Sequence, residues 1–99
     1  MAAQYDVCTA PGGIRVVVVQ SDLLDGMTTR VVIPLLPPAA GLVPMIPLNP
    51  VLTLGTDRLV LMPQLMATLS LRDLSPPEAS LAVYRDEITR ALDMLLSGI

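Results

Sequence analysis

From Val31 to Thr56 the chain carries no charged residue, and within that stretch stand Pro34, Pro37, Pro38, Pro44, Pro47 and Pro50. On length alone the stretch would span a bilayer. Each proline, however, lacks a backbone donor and clashes with the turn before it, so no helix runs through and the segment is not a transmembrane span. From Pro34 to Pro50 the same density predicts neither a helix nor a central strand. Leu42, Val43, Met45, Ile46 and Leu48 are too apolar for a free linker, which predicts an extended loop lying on the core.

The segments on either side read as strands, then one helix. Gln4 to Thr9 alternates apolar and polar residues as a half-buried strand does, and Pro11-Gly12-Gly13 supplies the freedom to reverse. Ile14 to Val19 is apolar and β-branched except at Arg15, which predicts a strand covered on both faces and ended at Gln20-Ser21-Asp22. Thr29 to Leu35 repeats that pattern. Between them Asp22-Leu23-Leu24-Asp25-Gly26 forms a turn whose two leucines have no strand neighbours to pack on, so Leu23 and Leu24 are candidates for an interface.

A second hairpin is predicted from Val51–Leu54 and Leu59–Met62 around Gly55-Thr56-Asp57-Arg58, and a further strand at Ala67 to Leu71. Ser75-Pro76-Pro77-Glu78 has the side chains of a helix start, but its two prolines favour a short turn. The helix begins near Leu81. Leu81, Tyr84, Ile88, Ala91, Leu92, Leu95 and Ile99 recur at three- and four-residue steps, with Arg85, Asp86, Thr89, Arg90 and Asp93 opposite. Asp86 and Arg90 are spaced as a favourable pair. The expected fold is mainly β, an antiparallel sheet finished by one C-terminal α-helix, in a single domain over residues 1–99.

At 99 residues and 53% hydrophobic content, the chain has more apolar surface than a small monomer comfortably hides. A homodimer is the simplest remedy. Six arginines, no lysine and nine acidic residues give a net charge of −3, the wrong sign for direct binding to nucleic acid. The chain start shows no basic segment followed by an apolar run, and Cys8 is the single cysteine; a cytoplasmic location and no membrane association are expected.

Catalysis is disfavoured by subtraction. Histidine is absent, so the commonest general base is missing and Cys8 has no imidazole to activate it. The residues suggest no metal cluster and no cofactor. Asp22 with Asp25, and Asp86 with Glu87, read as a turn-capping pair and a solvated helix face rather than as acid and base. Gly12-Gly13 sits in a hairpin and lacks the strand-to-helix context of a phosphate loop. Cys8 is expected to pack within its strand. The methionines are expected mainly to fill core gaps. The chain closes on Asp93-Met94-Leu95-Leu96-Ser97-Gly98-Ile99, apolar where fraying is normal, so this end is expected to meet a second copy or a foreign partner.

Over almost its whole length the chain resembles the CcdB family, the toxin half of a toxin–antitoxin module. The likeness rests on Val19-Gln20-Ser21-Asp22-Leu23-Leu24-Asp25, Arg30-Val31-Val32-Ile33-Pro34-Leu35, Leu54-Gly55, Met66-Ala67, and Ala91-Leu92-Asp93-Met94 running to Gly98-Ile99. The N-terminal strand and the proline loop match poorly. The resemblance implies a homodimeric, partly barrel-like β fold related to SH3-like barrels, with a C-terminal helix. It also implies an activity by binding: the dimer inserts its paired C-terminal ends into the DNA gyrase A subunits and traps the cleaved-DNA complex. Carried over by position, the gyrase-facing residues are Leu23 and Leu24 in the turn and Asp93, Leu96, Ser97, Gly98 and Ile99 at the helix end. The family pattern ends in Phe-Trp-Gly-Ile, its tryptophan stacking on an arginine of the target. Leu96 and Ser97 stand there in this chain, and Asp93 replaces a family asparagine.

Three functions follow from these readings. The first is a toxin that binds gyrase or another topoisomerase and is neutralised by an antitoxin whose disordered tail folds onto it. The second is a non-toxic or retargeted binding module. The third, an endoribonuclease, is opposed by the missing histidine and the acidic balance, since only Arg15, Arg30, Arg58, Arg72, Arg85 and Arg90 are available for a cationic groove.

Overall fold

The computed structural model describes residues 2–39 and 43–98, so the expectations for Leu42 and Ile99 lie outside it. In chain order the elements are β1 (Asp6–Ala10), β2 (Ile14–Val18), β3 (Thr29–Leu36), β4 (Val51–Leu54), β5 (Asp57–Leu61), β6 (Ala67–Ser70), β7 (Ala79–Ser80) and α1 (Arg85–Ser97). Short 3-10 turns stand at Asp22–Leu24, Pro63–Leu65, Leu71–Asp73 and Ala82–Tyr84. The strands run β4-β5-β3-β2-β1-β7, all antiparallel, with β6 on β3, in a nearly closed barrel-like sheet finished by α1. A mainly β fold with an antiparallel sheet and one C-terminal helix, similar to the CcdB fold, is what the sequence led one to expect.

Strand β3 organises this sheet. Its first half pairs with β6 up to Val32↔Ala67, its end pairs with β5 from Leu35↔Leu61, and β2 lies along its other edge. Pro34 therefore lies inside a central strand, in line with the strand read over Thr29 to Leu35 and contrary to the expectation that the proline density from Pro34 onward excludes one. The reason is local. Pro34 stands where β3 passes from β6 to β5, and what the neighbouring segment requires there is its carbonyl, which accepts the Met62 N–H at 3.1 Å.

Alternation along β1, β2 and β3 divides the core between two faces. Val7, Val17, Ile33 and Leu35 point to one side, where Leu52, Leu59, Leu61 and Leu81 join Ile88 and Ala91 of α1. Cys8, Val16, Val18 and Val32 point to the other, covered by Ala2, Leu69, Leu71 and Leu74. The strand around Val17 is thus enclosed on both sides, as its β-branched run predicted. Strand β1 starts only at Asp6, because Tyr5 takes φ +71 and interrupts the extended chain.

Several boundaries differ from the sequence reading. Ser75-Pro76-Pro77-Glu78 is not a turn but an extended segment along β1: the Ser75 and Glu78 N–H groups donate to the Thr9 and Val7 carbonyls at 3.0 and 2.9 Å. It leads into the unanticipated edge strand β7. Leu81 is not helical; it stands at the N-cap of the 3-10 turn Ala82–Tyr84, the Ser80 hydroxyl before it accepts the Ala82 N–H at 3.1 Å, and α1 starts at Arg85. Asp86 and Arg90 form no ion pair, since Arg15–Asp57 at 3.0 Å is the only one among the described residues. The proline loop does not lie wholly on the core: Val43, Met45 and Ile46 are exposed, and it is buried Asn49 that docks it. The Asn49 amide donates to the Leu61 carbonyl at 3.0 Å and to Gln64 at 2.9 Å, and its oxygen accepts the Met45 N–H.

Candidate functional site

The turn after β2 presents two leucines on a hydrogen-bonded backbone. Ser21 ends the extended chain, and its hydroxyl accepts the Leu23 N–H at 3.2 Å, which starts the 3-10 turn Asp22–Leu24. Leu24 N–H then donates to the Ser21 carbonyl, Asp25 N–H to that of Asp22, and Met27 N–H to that of Leu24. With the backbone folded this tightly, the side chains turn outward: Leu23 is 93% exposed and Leu24 49%.

The helix end is a second apolar projection. Asp93, Leu96 and Ser97 stand at i, i+3 and i+4 of α1 and so share one face of its last turns, all exposed, with Leu96 at 72%. Gly98 closes the helix in the left-handed region at φ +71, and its N–H donates to the Met94 carbonyl at 3.1 Å. That is the αL cap, a conformation glycine adopts without the side-chain penalty of other residues. Ile99, the last of the expected contact residues, lies outside the described residues. Among the described residues no hydrogen bond joins the Leu23-Leu24 turn to the Asp93–Gly98 end.

The remaining candidates resolve into packing and capping. Cys8 is fully buried in β1, and burial foremost, then the carboxylates of Asp6 and Glu78, pushes its thiol pKa up, the opposite of an activated nucleophile. Asp22 accepts the Gln4 N–H at 2.8 Å across the chain, while Asp86 and Glu87 stand in the first turn of α1. Among the described residues no three His, Cys, Asp or Glu side chains gather to hold a metal. Of the methionines, Met62 is buried and Met66 half-buried, whereas Met27 and Met45 are exposed.

Sequence reasoning missed Arg30. Named there in the family-like segment Arg30–Leu35 and as one of six cations, but given no role, it is 2% exposed and ends among backbone carbonyls. Its Nε donates to Ala2 at 3.0 Å, Nη1 to Met27 and Thr29 at 2.7 and 2.9 Å, and Nη2 to Asp25 at 2.9 Å. Its place inside a strand of apolar neighbours was the one available signal. Gln20 works beside it: its Nε2 donates to the carbonyls of Leu24 and Thr29 at 3.3 and 3.2 Å, and its Oε1 accepts the Val31 N–H at 3.1 Å. With Arg30 interior and Arg15 held by Asp57, the other arginines are dispersed over β5, the Leu71–Asp73 turn and α1.

No curated protein matches the chain significantly. The family model described as CcdB protein matches residues 4–98, which takes in every strand, both projections and the whole of α1. The chain therefore belongs to the CcdB family, a family of toxins.

Proposed function

We propose that this chain is the toxin component of a toxin–antitoxin system. It acts in the cytoplasm as a homodimer that binds DNA gyrase, or another topoisomerase, and an antitoxin neutralises it. The observation that carries the reading is the CcdB family match over residues 4–98. In this reading Leu23, Leu24, Asp93, Leu96, Ser97, Gly98 and Ile99 meet the target, and the act is binding rather than catalysis. The exposure of Leu23 and Leu96 supports it, since solvated large apolar side chains release free energy only when a partner covers them.

Dimerisation is supported by the same arithmetic at larger scale. Ile14, Met27, Val43, Met45, Ile46, Leu65 and Val83 are also exposed, more apolar surface than a chain of 99 residues needs to leave in water. The antitoxin would fold a disordered tail onto the dimer, in keeping with a family of toxin–antitoxin toxins.

A retargeted or non-toxic binding module is the second reading, favoured by Ser97 and Asp93. Serine has no ring to stack on a guanidinium, and Asp93 adds charge to the same helix face. Induced expression in a bacterium, scored for growth arrest and for trapped gyrase–DNA complexes, separates the two. Arrest with trapping is the expected outcome for a gyrase poison. Arrest without trapping indicates another target, and unimpaired growth sinks the toxin reading.

A further inference from the structure

We infer that Gln20 and Arg30 are positioning residues for target recognition, holding the Leu23-Leu24 turn in its binding geometry before any partner arrives. The inference rests on the proposed reading that this turn meets the target. An exposed leucine on a mobile loop would lose much of its contact energy to ordering, whereas one on a fixed backbone keeps it. The turn is fixed by two side chains that bind backbone carbonyls from Leu24 to Thr29, leaving the leucine side chains free.

Gln20 uses both its amide donors and its amide oxygen in this one place. Both donors are used, one on the Leu24 carbonyl inside the turn and one on the Thr29 carbonyl of β3, while the oxygen receives the Val31 N–H. The side chain thereby links the turn to the central strand. Arg30 takes the next carbonyls along: Asp25, Met27 and Thr29, with Ala2 on the far side. Its planar fork reaches these acceptors at once, which a lysine ammonium does not. Asp22 completes the frame from the N-terminal side by accepting the Gln4 N–H at 2.8 Å. Leu24, Asp25, Met27 and Thr29 thus each have a carbonyl held by a side chain rooted in or beside the sheet. A polar cluster of this density lies beneath the most exposed leucine of the described chain.

The test is a double-mutant cycle on the full-length protein with purified gyrase A subunit as probe, at a temperature where every variant is folded. Leu23→Ala is expected to weaken binding about tenfold or more, from the loss of a buried leucine side chain. Gln20→Leu, which keeps the bulk and removes the three hydrogen bonds, is expected to weaken it about fivefold to tenfold, yet to cost less than twofold in the Leu23→Ala background. A purely structural role predicts additive losses instead. Hydrogen exchange on the unmodified protein supplies an independent readout: the Leu24 and Met27 amides should be protected well beyond an open loop. Exchange at the rate of an unstructured chain, or additivity in the cycle, overturns the positioning role alone. If Leu23→Ala leaves binding unchanged, the reading that this turn meets the target falls, and the positioning role falls with it.

Discussion

Two residues carry the clearest chemical expectations. Ser97 stands where the family pattern places a tryptophan, and a ring stacked on a guanidinium contributes roughly 0.5 to 2 kcal/mol, with burial of the ring added. The proposed dimer would present the site twice, so on that reading Ser97→Trp should strengthen gyrase binding by up to roughly 4 kcal/mol, close to a thousandfold. Gyrase–DNA trapping measured against toxin concentration checks it; no gain would mean that the helix end is not the contact. Arg30 is the opposite kind of residue, a buried cation solvated by carbonyls rather than by a carboxylate. Arg30→Met keeps much of the stem packing and strips the guanidinium from four acceptors, so a loss of about 3 kcal/mol or more is expected, read as a lower urea midpoint at unchanged slope.

At the scale of elements, β1 is held on both edges, by β2 and by β7. Cys8 sits in its middle, and its raised pKa means that the native thiol keeps its proton when the unfolded chain has lost its own. Below the ordinary thiol range the two states are protonated alike. Above it, the unfolded chain ionises first, and stability falls as pH rises toward the native value. Native protein should therefore resist alkylation by iodoacetamide at pH 8 and react once urea unfolds it. Rapid labelling under native conditions would show that the cover formed by Leu69, Leu71 and Leu74 opens readily. The helix has the complementary design: Ile88 and Ala91 fix its inner face, which leaves its last turn free to project Leu96.

For the whole molecule, large apolar side chains are exposed on the turn, the proline loop and the helix end, and the proposed homodimer would cover some of them. Light scattering should give twice the mass of one chain at micromolar concentration, and a monomer there would leave those surfaces unexplained. Gly98→Arg should weaken the dimer or target binding, because an unpaired charge buried in a contact is costly. An antitoxin peptide that binds only the folded protein should raise its melting temperature with concentration, by about 2.7 kcal/mol of stabilisation at a hundredfold excess over Kd. The product of a small reading frame adjacent to this one, where such a frame exists, is the peptide to test, and no shift at saturation would count against the toxin–antitoxin reading.

What the sequence determined by itself is what neighbouring residues encode. The β-branched run of Ile14–Val19, broken only at Arg15, specified a strand whose Val16, Val17 and Val18 are buried on both faces, glycines and turn residues specified hairpins, and the three- and four-residue spacing of Ile88, Ala91, Leu92 and Leu95 specified the helix. The motif residues of the Gln20–Asp25 turn and the helix end carried the family. Tertiary structure alone decided the rest, since it depends on partners distant in the chain. Pro34 entered a central strand because β6 and β5 change over beside it, Ser75 and Glu78 straightened because β1 offered an open edge, and Arg30 went inside because carbonyls from Ala2 to Thr29 converge on it. A proline, a serine and an arginine each have a strong local preference, but it is the geometry of the hydrogen-bonding groups around them that determines whether that preference prevails.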